Sequence, residues 1–313
     1  MEMNIFQIIW FILWGVLWAG YFALDGFDLG AGSLFYVLGK NEREKNAIYH
    51  AIGPFWDGNE VWLITAGGAT FAAFPTAYAI MFSSLYTPLL LLLFALIIRG
   101  VAVEYRNKHD SPFWQKFWDV AFFTGSVLPP ILLGVAFANI FKGIPIDEKG
   151  ILHTNLLGLL NFYGILGGIL FLFCFATHGA LWIAFKTENL LSERAANLAK
   201  KLWAISLILV IIFWIVSFVI TNIWQNYIKA PILLIFPLIA VLFYFLVPIF
   251  IHKKEYLKAW IMSALTIVFF TAWGMVGLFP NILPSSINPA YSLTIMNSSS
   301  SPLTLKIMTI VAV

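Results

Sequence analysis

Long apolar runs separated by short polar segments dominate the chain. Each of the first eight runs is long enough for an α-helix to cross about 30 Å of hydrocarbon. Polar and apolar residues do not alternate within the runs, so the pattern argues against a β-barrel. We therefore expect an all-α membrane protein with about nine transmembrane helices. The predicted spans are residues 5–38, 47–74, 76–98, 114–141, 155–185, 198–224, 231–252 and 256–279, and a last apolar run begins at residue 303.

The order of these spans predicts two four-helix units and a tail. Residues 1–141 form the first unit, residues 142–280 the second, and residues 281–313 an outer loop with the start of a ninth helix. Eleven residues remain after Pro302, which as a helix reach only about 16 Å. We expect this last helix to be incomplete or not to cross the bilayer.

Composition agrees with a membrane location. Hydrophobic residues make up 61% of the chain and charged residues 11%, whereas soluble domains have about 25% charged residues. The net charge of +3 is spread over short loops, so it does not indicate nucleic-acid binding. Cys174 is the single cysteine, which excludes an internal disulfide and a CxxC metal or redox motif.

The basic residues predict the orientation. Fourteen lysines and arginines fall on one side of the predicted topology and four on the other, so the positive-inside rule places the first side in the cytoplasm and the N-terminus outside. The cytoplasmic set is Lys40, Arg43, Lys45, Arg99, Arg106, Lys108, Lys116, Lys186, Arg194, Lys200, Lys201, Lys253, Lys254 and Lys258.

Four carboxylic acids lie inside the first two predicted spans. Asp25 and Asp28 are three residues apart, as are Asp57 and Glu60, so each pair shares one helix face. A carboxylate at mid-membrane costs about 2.5 to 3.5 kcal/mol and needs a partner, water or a function. At similar depth on adjacent helices, the four groups predict a proton path, a cation site or a buried polar network.

The structural alternative is that these acids hold the helices together, satisfied by Asn59, Trp56 and Trp62. His178 is the one histidine clearly within a span, and without a second at matching depth we interpret it as a hydrogen-bonded packing residue rather than a haem ligand. Arg99 is expected to join Glu104 and Arg106 in an anchoring ion-pair cluster.

Several motifs together resemble subunit II of cytochrome bd-type quinol oxidase. The similarity covers essentially the whole chain in order, and the block GPFWDGNEVW is its most specific part. The matching runs are GFDLGAG at 26–32, GPFWDGNEVWLITAGGATFAAFPTAYA at 53–79, LIIRGVAVEYR at 96–106, HGALWIAFKTE at 178–188 and SSSPLTLKIM at 299–308.

The resemblance implies nine helices, as two four-helix units plus one, in a heterodimer with a haem-bearing subunit I. Haem b and haem d are expected in subunit I, and no haem or metal in this chain. A structural quinone and small accessory subunits are further features to be expected, with lipid but no nucleic acid as other partners. The implied location is the bacterial or archaeal cytoplasmic (inner) membrane.

The implied reaction is electrogenic. Ubiquinol or menaquinol is oxidised on the outer side, and dioxygen is reduced to water with cytoplasmic protons. This chain is not expected to be catalytic by itself. Asp57, with Asp25 as its nearest acidic neighbour, is predicted to help deliver those protons, and Asp28 and Glu60 are weaker candidates. The alternatives are a proton- or cation-coupled secondary transporter and a purely structural scaffold subunit.

Overall fold

The computed structural model describes residues 3–312, and these residues are almost entirely helical. The first half contains α1 (Ile5–Ser33), α2 (Phe35–Leu38), α3 (Glu42–Ile52), α4 (Trp56–Ala73), α5 (Pro75–Ser84), α6 (Tyr86–Tyr105) and α7 (Pro112–Lys142). The second half contains α8 (Leu156–Leu159), α9 (Phe162–Lys186), α10 (Asn189–Ile220), α11 (Gln225–Lys229), α12 (Ile235–His252), α13 (Tyr256–Leu278), β1 (Asn281–Leu283), β2 (Leu293–Thr294) and α14 (Pro302–Ala312).

Seven helices within residues 3–312 are long and apolar enough to cross a membrane, judged by length and composition. These are α1, α6, α7, α9, α10, α12 and α13. The prediction of an all-α, multi-pass membrane protein is therefore confirmed. The division into two four-helix units stays a prediction.

Several predicted spans are interrupted by residues that end helices. The span at 47–74 is broken between α3 and α4, where Pro54 has no N–H to continue the helical hydrogen bonds. The span at 76–98 is two helices that meet at Leu85. Pro75 begins α5, as expected for a proline at a first helical position. By contrast, α7 continues through Pro129 and Pro130, so these prolines do not end the helix.

Other helix ends differ from the ends of the predicted spans, because hydropathy does not define where a helix ends. The predicted span at 5–38 consists of the long helix α1, which ends at Ser33, and the short helix α2. The predicted span at 155–185 consists of the short helix α8 and the long helix α9. The helix α10 begins at Asn189, nine residues before the predicted span, and its polar first turns continue the helical hydrogen bonding beyond the apolar run.

The two sides of the predicted membrane topology correspond to the two ends of the helix bundle. At the basic end, Arg106 contacts Glu42 and Arg194 contacts Glu44. At the opposite end, the Gln7 side chain donates to the Ser299 hydroxyl at 2.8 Å. The helix α4 also runs between the ends. Its first residue, Trp56, lies against α6 near the basic end, and the carbonyl of its last residue, Ala73, accepts the Ser300 N–H at the opposite end.

Glycines bring four helices into backbone contact. A Cβ atom on Gly179 of α9 would lie 2.2 Å from the Ala31 nitrogen of α1, and one on Gly134 of α7 would lie 2.3 Å from the Gly167 oxygen of α9. A Cβ atom on Gly125 of α7 would likewise lie 2.9 Å from the backbone nitrogen of Arg99 in α6. The helices α1, α6, α7 and α9 therefore pack too closely for side chains at these points.

Candidate functional site

The C-terminal half of α1 carries two fully buried carboxylates. Asp25 and Asp28 both have 0% exposure and lie one helical turn apart. Neither residue lies in a loop or at the end of the helix, because α1 continues to Ser33. The two groups are therefore held inside a membrane-spanning helix, where a carboxylate needs partners.

Arg99 of α6 binds two of the predicted acids at once. Its Nη2 donates to Asp25 Oδ1 at 2.7 Å and to Glu60 Oε1 at 2.5 Å, and the guanidinium is 1% exposed. The side chain thus joins α1, α4 and α6. Gly125 of α7 permits this position because it leaves room directly behind the Arg99 backbone.

This contact corrects the prediction for Arg99. The residue does not join Glu104 and Arg106, because it turns into the bundle toward the buried acids. Arg106 instead binds Asp119 through Nε at 2.5 Å, and Lys45 binds the same carboxylate at 2.9 Å. Sequence reasoning therefore missed the cationic member of the candidate site. The available signal was an arginine only a few residues inside the end of an apolar run, in a chain whose intramembrane acids required a cation.

Asp28 is satisfied by a different side chain. Asn59 of α4 donates from Nδ2 to Asp28 Oδ2 at 2.7 Å and to the Leu24 carbonyl at 3.2 Å. Asn59 is thus a direct partner of the acidic cluster, as the structural alternative anticipated. Trp56 and Trp62 take part through packing: Trp56 covers Gly100 of α6, and Trp62 covers Gly20 of α1.

The four predicted acids do not form one cluster. Asp25 and Glu60 meet at Arg99, and Asp28 lies beside them, whereas Asp57 is exposed in the first turn of α4. Asp57 has no ion-pair or hydrogen-bonding partner for its side chain within residues 3–312. We call Asp25, Asp28, Glu60, Arg99 and Asn59 the buried acidic cluster. It has three carboxyl groups and one guanidinium, so it has the composition to hold and release protons.

A separate ion pair lies at the basic end of the bundle. Arg194 of α10 donates to Glu44 of α3 at 2.6 Å and to the Leu38 carbonyl at 2.7 Å. The hydrogen bond from Arg194 holds the pKa of Glu44 below its ordinary value. This pair ties the loop after α1 to α10 and lies apart from the buried acidic cluster.

His178 has the packing role that was expected of it. Its Nδ1 lies 3.0 Å from Ser263 Oγ of α13 and its Nε2 lies 2.9 Å from the Ala23 carbonyl of α1, while the ring stacks on Trp260. Because a carbonyl only accepts, Nε2 carries the proton and Nδ1 accepts from the Ser263 hydroxyl. Both nitrogens are occupied, so the His178 ring does not fit an axial haem ligand.

Fold and site together define a multi-pass helical membrane protein whose buried carboxylates are partly neutralised by one arginine. The family model for cytochrome bd terminal oxidase subunit II matches residues 6–313. The chain belongs to this family.

Curated relatives and a solved structure agree with this assignment. The chain is 40% identical over 305 residues to cytochrome bd ubiquinol oxidase subunit 2 of Bacillus subtilis, covering 97% of this chain and 89% of the relative. It is 33% identical over 344 aligned positions to cytochrome bd-I ubiquinol oxidase subunit 2 of Escherichia coli K12, covering 100% and 91%. The fold matches a chain of the bd oxidase from Geobacillus thermodenitrificans with a TM-score of 0.81 at 16% identity, covering 98% and 93%. The chain is thus part of an oxidoreductase complex.

Proposed function

We propose that this chain is the haem-free subunit of a quinol:dioxygen oxidoreductase in a bacterial or archaeal inner membrane. Relatives at 33% to 40% identity are named as ubiquinol oxidase subunits, which supports quinol as the electron donor. The occupied nitrogens of His178 support placing haem b and haem d in a partner subunit I rather than here. The activity of the purified complex with ubiquinol and with menaquinol distinguishes the two donors.

The observation that carries a proton role is the composition and burial of the buried acidic cluster. Reduction of one dioxygen to two waters consumes four electrons and four protons, and the haems supply the redox chemistry. This chain's part is to hold protons within reach of that site. Asp25, Asp28 and Glu60 outnumber the one cation, Arg99, so full ionisation would leave two uncompensated negative charges among largely buried groups.

Entry to the cluster runs through α4. Glu60 is 22% exposed while it binds Arg99, so it links the buried Asp25 to the surface. Asp57 lies one turn nearer the basic end of α4 and is exposed. We therefore assign Asp57 the role of receiving protons, Glu60 the role of passing them inward and Asp25 the role of holding them, with Asp28 and Asn59 as the polar support.

The same surface of α4 is the proposed contact with subunit I. Asp57 lies on an exposed stripe with Val61, Ile64, Gly68 and Phe71, at spacings of three and four residues. A carboxylate facing lipid at this depth would be costly, whereas a protein partner can supply a polar group or water. The α4 stripe therefore fits a haem-bearing membrane subunit better than it fits lipid.

The test is oxygen consumption and charge movement in complexes carrying Asp25→Asn or Asp57→Asn, compared at equal haem content. Both variants are expected to slow turnover without loss of haem. Glu104→Gln is the matched control, because Glu104 is an exposed carboxylate on α6 with no ion pair in the described part of the chain. Normal turnover with normal charge movement in both variants would refute the proton role.

Loss of haem from these variants would instead favour a scaffold role, since the partner would have lost its support. A reduced-minus-oxidised spectrum of the complex, purified through a tag on this chain, tests the assignment as a whole. Haem b and haem d bands with quinol oxidase activity are expected. A colourless chain without a partner would contradict it and favour a secondary transporter.

A further inference from the structure

Tyr21 is a buried polar residue that the proton role does not yet use. It lies on α1 one helical turn before Asp25 and has 0% exposure. Leu92 and Leu96 of α6 and Leu133 of α7 belong to the same apolar cluster. The hydroxyl lies beside the Asp25 carboxyl but makes no hydrogen bond of standard geometry within residues 3–312. A buried tyrosine hydroxyl normally makes one, so this position favours a polar group that bridges the hydroxyl and the carboxyl.

The atoms that lack partners are concentrated at this place. Besides the Tyr21 hydroxyl they include Asp25 Oδ2, Asp28 Oδ1 and both Nε and Nη1 of Arg99. Arginine nitrogens only donate, carboxylate oxygens accept, and a tyrosine hydroxyl does both. The set therefore contains donors and acceptors together. Water bridges such sets, because one buried water typically makes about three hydrogen bonds to otherwise unsatisfied groups.

We propose that the buried acidic cluster holds internal water, and that the Tyr21 hydroxyl closes this hydrated cluster on the side of the membrane centre and positions the proton held by Asp25. The inference rests on the proposed function of the cluster and adds a ligand and a residue to it. Beyond Tyr21 the surroundings are apolar, since Leu133, Phe137 and Phe175 from α7 and α9 share its cluster. Tyr21 thus marks the end of the polar region along α1.

The charged and titratable groups around Tyr21 come from three helices. Asp25 and Asp28 lie on α1 itself, Glu60 on α4 and Arg99 on α6. From α9, Cys174 packs against the apolar cluster of Tyr21, and His178 is bonded to the Ala23 carbonyl and Ser263. Donation from the Tyr21 hydroxyl, direct or through water, fixes the orientation of the Asp25 carboxyl and of the proton it holds. Removal of the hydroxyl should therefore change the hydrogen bonding of protonated Asp25.

Infrared difference spectroscopy of the whole complex tests the water directly. Redox difference spectra are recorded in ordinary water and in water labelled with oxygen-18, and a water O–H stretching band is expected to shift with the label. The band should be lost or displaced in Tyr21→Phe. In the same variant, the C=O stretching band of protonated Asp25, identified by its loss in Asp25→Asn, should also shift.

Tyr163→Phe is the matched control, because it also removes a buried hydroxyl, one bonded to Ser217 far from the cluster. It should leave the water band and the Asp25 C=O band unchanged. The inference is overturned if Tyr21→Phe behaves like this control, or if the wild-type complex has no label-sensitive band that Asp25→Asn removes. The second criterion can be applied even if the complex with Tyr21→Phe does not assemble, because it uses only the wild-type and Asp25→Asn complexes.

The two proposals fail in different ways. Slow turnover in Asp25→Asn together with an unchanged Tyr21→Phe would refute the role of Tyr21 and leave the proton role standing. Normal turnover with normal charge movement in both Asp25→Asn and Asp57→Asn would refute the proton role, whatever the spectra of Tyr21→Phe.

Discussion

Replacing Arg99 with glutamine should destabilise the complex more than any other single change at the buried acidic cluster. The substitution removes the bonds to Asp25 and Glu60, at 2.7 and 2.5 Å, and leaves Asp25 buried without a cation. A hydrogen bond to a charged group contributes about 1.5 to 3 kcal/mol. The bond to Asp25, which is 0% exposed, takes the full value.

The bond to Glu60 must be discounted because that side chain is 22% exposed and water screens it. A contribution of about 1 kcal/mol from Glu60 gives a total loss of about 2.5 to 4 kcal/mol, which overlaps the range of about 3 to 5 kcal/mol for breaking a buried ion pair from one side. This corresponds to a change of the unfolding equilibrium between about sixtyfold and about seven hundredfold.

The assay is denaturant titration of the purified complex in mixed micelles, followed by tryptophan fluorescence and haem absorbance. Arg43→Gln is the control, because Arg43 is exposed and without an ion pair in the described residues, and it should change stability by less than about 0.5 kcal/mol. Adding Asp25→Asn to Arg99→Gln should recover about 1 to 2 kcal/mol, since it removes the uncompensated charge.

Two results would refute this reasoning. One is a stability for Arg99→Gln within about 0.5 kcal/mol of wild type, which would mean that the buried pair contributes little net free energy. The other is a further loss of stability in the double variant, which would mean that the Asp25 charge is not the source of the cost.

Two further predictions concern other parts of the chain. Gly179→Ala should prevent α1 and α9 from packing, because its Cβ would lie 2.2 Å from the Ala31 nitrogen, so the yield of haem-containing complex should fall severalfold; a normal yield would contradict the close approach. Glu44→Gln should reduce the acid sensitivity of stability. The Arg194 bond lowers the pKa of Glu44, so its contribution is present above the ordinary value near 4.5 and is lost as the pH falls through the lowered one. Thermal melts between pH 3 and 7, with Glu193→Gln as an exposed control, should show wild-type curves converging on those of Glu44→Gln at the acid end; parallel curves would contradict it.

The sequence predicted the membrane class and most helices because hydropathy reports on burial in lipid directly. It could not predict that Pro54 and Leu85 divide two spans, because apolar composition continues across both breaks. Prolines were ambiguous for the same reason: Pro75 begins a helix, whereas Pro129 lies inside one.

The candidate site was predicted only in part. Spacing identified Asp25 and Asp28 as one helix face and predicted that Glu60 would meet α1. The contact with Arg99 is 74 residues from Asp25 along the chain, and it depends on which face of α6 turns inward. Asp57 was expected beside Asp25, but in the first turn of α4 it lies on the exposed face of the helix. The helical period of 3.6 residues does not by itself determine how α4 is rotated about its own axis.

The glycine contacts between helices also determine which part of the site can move. The helices α1, α6, α7 and α9 touch through their backbones, so none of them can slide without steric conflict. By contrast, α4 meets this rigid frame through side chains, among them Asn59, Glu60 and Thr70, whose hydroxyl accepts a hydrogen bond from Trp14. A small rotation of α4 would therefore separate Glu60 from Arg99 while the bond between Arg99 and Asp25 stayed intact. Amide hydrogen exchange should then be faster in α4 than in α1, because side-chain contacts can separate and re-form while backbone contacts between packed helices cannot.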